Sequence, residues 1–89
     1  MTEHILKTWQ DYWNAIESGA KNFEVRRDDR GFQKGDILRL VRVERRYGGD
    51  LVTSNVPPLY RRVTYILTGI QFGIESGYAV MGLEPSDGI

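Results

Sequence analysis

Apolar residues fall along this chain in short bursts whose period changes from one segment to the next. His4-Ile5-Leu6-Lys7 is a brief candidate strand, and Thr8-Trp9-Gln10-Asp11 then supplies the hydroxyl, two-residue gap and acid of a capping box, predicting a helix start. Trp9, Tyr12, Trp13 and Ile16 recur at helical spacing on one stripe, with Gln10, Asp11, Asn14 and Glu17 largely opposite. Ser18-Gly19 ends the helix, since glycine readily adopts the left-handed cap conformation. The stripe reads as core packing; stacking of bases on exposed aromatics is its functional alternative.

From Phe23 the period changes to two. Phe23-Glu24-Val25-Arg26 predicts a strand with Phe23 and Val25 buried and with Glu24 and Arg26 together on the other face, roughly 6.6 to 7 Å apart. Turns are expected at Arg27 to Gly31 and at Gln33 to Asp36. Extended structure resumes over Ile37 to Glu44, where Ile37, Arg39, Val41 and Val43 share one parity and Leu38, Leu40 and Arg42 the other. Two partly apolar faces suit a small closed barrel better than an open sheet with one wet face. The pattern dissolves over 45–60, which reads as a long loop. Arg61 to Leu67 returns to strand, with Val63, Tyr65 and Leu67 on one face. Thr68 to Gly77, with Ile70, Phe72 and Ile74, reads as a packed loop or short helical turn. Tyr78 to Leu83 is the last strand, and 84–89 is expected to be a frayed tail.

Eighty-nine residues allow one domain, 1–89, burying only about 60 to 65% of its unfolded surface, so the core must be small and well packed. With 40% hydrophobic residues and no run long enough to span a bilayer, a soluble globular protein is expected. Met1-Thr2-Glu3-His4 does not resemble a signal peptide, and the absence of cysteine removes disulfides, thiolate metal sites and a cysteine nucleophile. A cytoplasmic location and a monomer are the corresponding expectations.

Net charge is zero but unevenly spread. Between Lys21 and Arg46 nine basic residues face five acidic ones; with Arg61 and Arg62, the middle of the chain carries six excess positive charges, balanced by the remainder. Nine of the twelve bases are arginine, which suits bidentate contact with phosphate or carboxylate. Ordinary surface charge and a nucleic-acid patch both remain open on this pattern.

The run Gly-x-Lys-x-x-Glu-x-Arg at Gly19, Lys21, Glu24 and Arg26, followed by Asp29-Arg30-Gly31-Phe32 and Gly35-Asp36-Ile37-Leu38, resembles the DUF3850 family of the ASCH superfamily. The resemblance also takes in His4-Ile5-Leu6-Lys7, Arg62-Val63-Thr64-Tyr65-Ile66, Phe72-Gly73-Ile74 and Gly77-Tyr78. It fails over Leu51 to Pro58, where members often carry a shorter hairpin. It implies an α+β fold: a small PUA-like β-barrel of five to six strands with one main N-terminal helix beside a cleft.

PUA-like domains commonly bind RNA, so the resemblance implies an RNA- or modified-nucleotide-binding module. Lys21, Glu24, Arg26 and Arg30 would stand at the cleft, with Tyr47 or Tyr60 on its rim as a stacking platform. The alternative is a hydrolase of acylated nucleosides or RNA. Some ASCH members resemble such hydrolases, with a lysine at the position of Lys21 and a threonine nucleophile three residues later; here Glu24 occupies that place. Lys21 and Glu24 are then the catalytic candidates, Glu24 as general base. A structural alternative makes Lys21, Glu24 and Arg26 an ion-pair network closing one end of the barrel. Asp28-Asp29 is better explained by turn chemistry than by a metal, and neither a metal nor a cofactor is expected. A protein partner at the long loop is a third class.

Overall fold

Among the described residues the alternation of periods resolves into six strands and one helix. In a computed structural model describing residues 2–46 and 48–87, the order is β1 (Glu3–Trp9), α1 (Gln10–Glu17), β2 (Phe23–Arg27), β3 (Ile37–Arg45), β4 (Leu51–Thr53), β5 (Leu59–Thr68) and β6 (Tyr78–Pro85). The fold class is α+β. One sheet runs β1-β3-β5-β6-β2, with β4 paired to β3. β1 lies parallel to β3 and the other pairs are antiparallel.

The main-chain ladder does not close into the expected barrel, since β1 and β2 remain its two edges. Arginines span the gap between them. Arg26 Nη2 donates to Lys7 O at 2.8 Å and Arg30 Nη1 donates to Ile5 O at 2.9 Å. Edge carbonyls that a barrel would pair with a neighbouring strand are thus met by guanidinium groups.

The core gathers Leu6, Trp13, Ile16, Phe32, Leu38, Leu40, Val63, Met81 and Leu83. Each large aliphatic side chain buried there contributes about 1.5 to 3 kcal/mol. Trp13 also donates its indole N–H to Leu40 O at 2.9 Å, fixing α1 against β3. Leu38 and Leu40 point into this cluster, whereas Ile37 and Val43 are buried outside it on the opposite parity. β3 therefore does present two apolar faces.

Four local expectations are overturned. Thr8 caps no helix: it is the penultimate residue of β1, paired with Arg42, and Trp9 is the N-cap with no side-chain bond. Parallel pairing to β3 outcompetes the capping box. In β2 the faces are reversed, with Phe23 and Val25 exposed and Glu24 only 3% exposed. In β5 the pairing shifts between Val63 and Tyr65, so Thr64 is a bulge residue that leaves Val63 inside and turns Tyr65 outward. Gly82 sits opposite Tyr65 in this pairing, and a Cβ there would lie 2.8 Å from Thr64 Oγ1. The β5–β6 connection is not packed, because Ile70 and Phe72 at its tip are 79% and 87% exposed.

Two boundaries also move. The stretch 45–60 contains β4, antiparallel to β3 through Val43 and Thr53, and β6 extends through Glu84 to Pro85. Ser86 N–H then donates to Tyr60 O at 3.1 Å, tying down the start of the expected tail. Gly88 and Ile89 lie outside the described residues. At the helix end Gly19 has φ of 85°, the left-handed conformation the sequence requires.

Asp36 fastens the turn before β3 to β1. Its carboxylate accepts from His4 Nε2 at 2.9 Å, Gln33 N–H at 2.9 Å and Thr2 N–H at 3.2 Å. Burial alone raises this carboxyl, but the hydrogen bonds from His4, Gln33 and Thr2, with the His4 charge, outweigh it and leave the group below its ordinary 3.8. A lowered native value means that the unfolded chain binds the proton more readily, so this stabilisation is present above pH 3.8 and lost as pH falls toward the native value. Asp36→Asn, which replaces one acceptor by a donor, is expected to cost about 1 to 3 kcal/mol at neutral pH. It should also flatten the acid limb of stability below about pH 4; urea titrations from pH 2.5 to 7 read both effects.

Candidate functional site

The end of α1 and the start of β2 bring three charged side chains to one place. Lys21 N–H donates to Ala15 O at 2.9 Å, folding the chain back under the helix, and Leu83 N–H donates to Asn22 O at 2.9 Å, seating the entry to β2. Glu24 pairs with Met81 on β6, and its side chain points to the buried side of the curled sheet. There Lys21 Nζ donates to Glu24 Oε1 at 2.6 Å, and Arg26 Nε donates to Glu24 Oε2 at 2.8 Å. Both carboxylate oxygens are occupied.

Arg26 does more than neutralise Glu24. Its Nη2 reaches Lys7 O and, at 3.2 Å, Thr8 Oγ1, so a single guanidinium joins the carboxylate to the far edge of the sheet. Lys21 Nζ also lies 5.2 Å and 5.1 Å from the ring centres of Tyr12 and Phe23, within cation–π range of both. Backbone, carboxylate and rings hold the two cations in fixed positions.

This constellation lines a cleft of about 700 Å³ between β1 and β2. Trp9, Tyr12 and Phe23 provide its aromatic surfaces, while Lys7, Lys21 and Arg26 against Glu24 leave it with a net charge of +2. Three of the sequence-derived site residues, Lys21, Glu24 and Arg26, therefore come together. Arg30 is exposed at the neighbouring seam with its guanidinium on Ile5 O, outside the cleft lining. Tyr60 is in β5 opposite Arg39, also outside the lining, and Tyr47 is outside the described residues.

Sequence reasoning missed the contribution of Lys7, Thr8, Trp9 and Tyr12. The helical stripe assigned both aromatics to the core, whereas only Trp13 and Ile16 are buried from it. Exposed Tyr12 sits at one margin of that stripe, and Trp9 belongs to the strand before the helix.

A second polar cluster stands apart from the cleft. Ser54 Oγ donates to Glu44 Oε2 at 2.7 Å, Arg42 Nη1 reaches the same oxygen at 2.7 Å, and Arg46 Nε takes Oε1 at 2.8 Å. The Ser54 hydroxyl, with Arg46 and Arg42, outweighs burial and holds the Glu44 carboxyl below its ordinary range. The cluster ties β3 to the chain leaving β4. Asp28 likewise has a structural partner, its Oδ1 accepting from Phe32 N–H at 3.2 Å in the turn after β2.

Because Glu24 is buried between two cations that keep partial contact with water, removing its charge strands both. Glu24→Gln is expected to lower stability by about 2 to 3 kcal/mol, less than for a fully buried pair. Chemical denaturation at pH 7 measures it, and an unchanged midpoint would show that the carboxylate is dispensable to the fold.

No curated protein matches the chain significantly. Among the described residues, no helix is long and apolar enough to cross a membrane. Residues 3–83 match a family described as a domain of unknown function, DUF3850, a span running from the first residue of β1 into β6 and containing the whole Lys21, Glu24 and Arg26 constellation. The chain belongs to the DUF3850 family.

Proposed function

We propose that the protein is a nucleotide- or single-stranded-RNA-binding module of PUA-like, ASCH-type architecture, with the β1–β2 cleft as its ligand site. The observation that carries this reading is the cleft's composition: Lys21 and Arg26, each bonded to Glu24, beside the rings of Trp9, Tyr12 and Phe23. Fixed cations suit phosphate or the polar edge of a base, and aromatic rings suit its faces. The arginine-bridged seam supports the barrel-like reading, because it brings the sheet's two edges within reach of one side chain.

Hydrolysis of acylated nucleosides or RNA through Lys21 and Glu24 is less well supported. A general base must reach the substrate proton, and the Glu24 carboxylate is buried with one cation bonded to each oxygen. Thr8, a nearly buried residue of the cleft lining, has its hydroxyl engaged with Arg26 and Leu6 O.

Nucleoside 5′-monophosphates and short single strands should bind saturably at low salt, more weakly as salt rises. Lys21→Ala is expected to weaken binding about tenfold, the loss of one charge-assisted hydrogen bond. Isothermal titration at two salt concentrations checks it. Absence of saturable binding at low salt would refute the binding reading, and Glu24-dependent turnover of acylated nucleosides would favour the hydrolase instead.

A further inference from the structure

The cleft opens onto a second cationic surface. The strand register sets Ile5, Arg39 and Tyr60 side by side across β1, β3 and β5, with Lys7 beside Val41 and Trp9 beside Val43. Leu6, Leu38 and Leu40, of opposite parity, are in the core, so this second set shares the outer face of the sheet. Lys7 and Trp9 belong both to this face and to the cleft lining, making the two surfaces continuous.

The outward positions of these three strands carry Lys7, Arg39, Arg45 and Arg62 against one acid, Glu3. Arg62 is paired with Glu84 at 3.5 Å, and the Arg45 guanidinium lies 6.0 Å from the Trp9 ring centre. Arg39 is different. It is half-buried, and its Nε is shielded from solvent and has no hydrogen-bond partner among the described residues. A buried donor left unpaired is costly, and a phosphate would satisfy this guanidinium once the half-buried side chain turns toward the outer face. Tyr60, immediately beside it, is half-exposed and offers a ring.

We propose that the outer face from Lys7 across Arg39 to Tyr60 is the track for a single-stranded RNA, one nucleotide of which occupies the cleft. Arg39 takes a backbone phosphate and Tyr60 stacks a base. This rests on the nucleotide-binding reading of the cleft and adds that the ligand is a polymer. Arg39 lies one strand over and two residues along from Lys7, roughly 8 Å between Cα atoms, and Tyr60 lies about 5 Å further across the sheet. Reaching from cleft to Tyr60 exceeds what one nucleotide spans.

The test measures binding of randomised RNA trimers, hexamers and nonamers by fluorescence anisotropy at 50 and 200 mM salt, with the four nucleoside monophosphates as competitors. The hexamer is expected to bind at least about tenfold tighter than any monophosphate. Arg39→Gln should cost about tenfold on the hexamer and reduce the salt slope by about 0.7, leaving monophosphate binding unchanged. Tyr60→Ala should weaken the hexamer at least about fivefold, and it keeps the proposal testable should the Arg39 variant fold poorly. Equal affinity for hexamer and monophosphate, hexamer binding indifferent to both substitutions, or equal competition by duplex RNA would overturn the track. Hexamer binding that depends on Arg39, without monophosphate binding, would keep the track and refute the cleft. No binding of either kind would refute both.

Discussion

A buried carboxylate held between two cations is the constraint on which the rest of this structure depends. Glu24 occupies an inward position of an edge strand, where an unpaired charge would be prohibitive, and Lys21 and Arg26 each take one of its oxygens. Since Arg26 also bonds Lys7 O and Thr8 Oγ1, the side chain that neutralises Glu24 also holds the open edge of the sheet near β1. Electrostatic compensation and closure of the seam are one interaction. The cleft exists because this seam is bridged by side chains and not by a backbone ladder.

The ion-pair network and the proposed ligand site, opposed in a reading of the residues alone, share Lys21, Glu24 and Arg26. The bonds that satisfy Glu24 fix Lys21 and Arg26 before any ligand arrives, and preorganised cations lose less entropy on binding than free ones. The carboxylate that hydrolysis would need as a base is buried between these two cations. On the proposed reading, structure and binding draw on the same atoms. The face carrying Arg39 and Tyr60 lies on the other side of β1, joined to the cleft through Lys7 and Trp9.

Much of the architecture was legible from pattern. The presence of a helix after the first strand, its end at the left-handed Gly19 and the two-faced strand from Ile37 follow from spacing and from glycine chemistry. Legibility failed where a long-range contact reversed a local rule. Alternation in β2 places Phe23 and Val25 outward because Glu24 brings its own counter-charges inside, a compensation that hydropathy does not register. Thr8 has the right neighbours for a cap but is held in β1 by its pairing to Arg42, and one bulge residue at Thr64 turns Tyr65 to solvent. For the site, Lys21, Glu24 and Arg26 were legible as a motif. Trp9 and Tyr12 were not, because nothing in a helical stripe marks which aromatic faces the core and which the cleft.

The two tryptophans offer an internal control for nucleotide binding in the β1–β2 cleft. Trp9 lines the cleft, whereas the Trp13 indole N–H is buried and bonded to Leu40 O. Titrating the ¹⁵N-labelled protein with nucleoside monophosphates while following the two indole N–H resonances separates these environments. If the cleft receives a nucleotide, the Trp9 signal shifts saturably while the Trp13 signal stays nearly unmoved. A stationary Trp9 resonance at saturating nucleotide would contradict it.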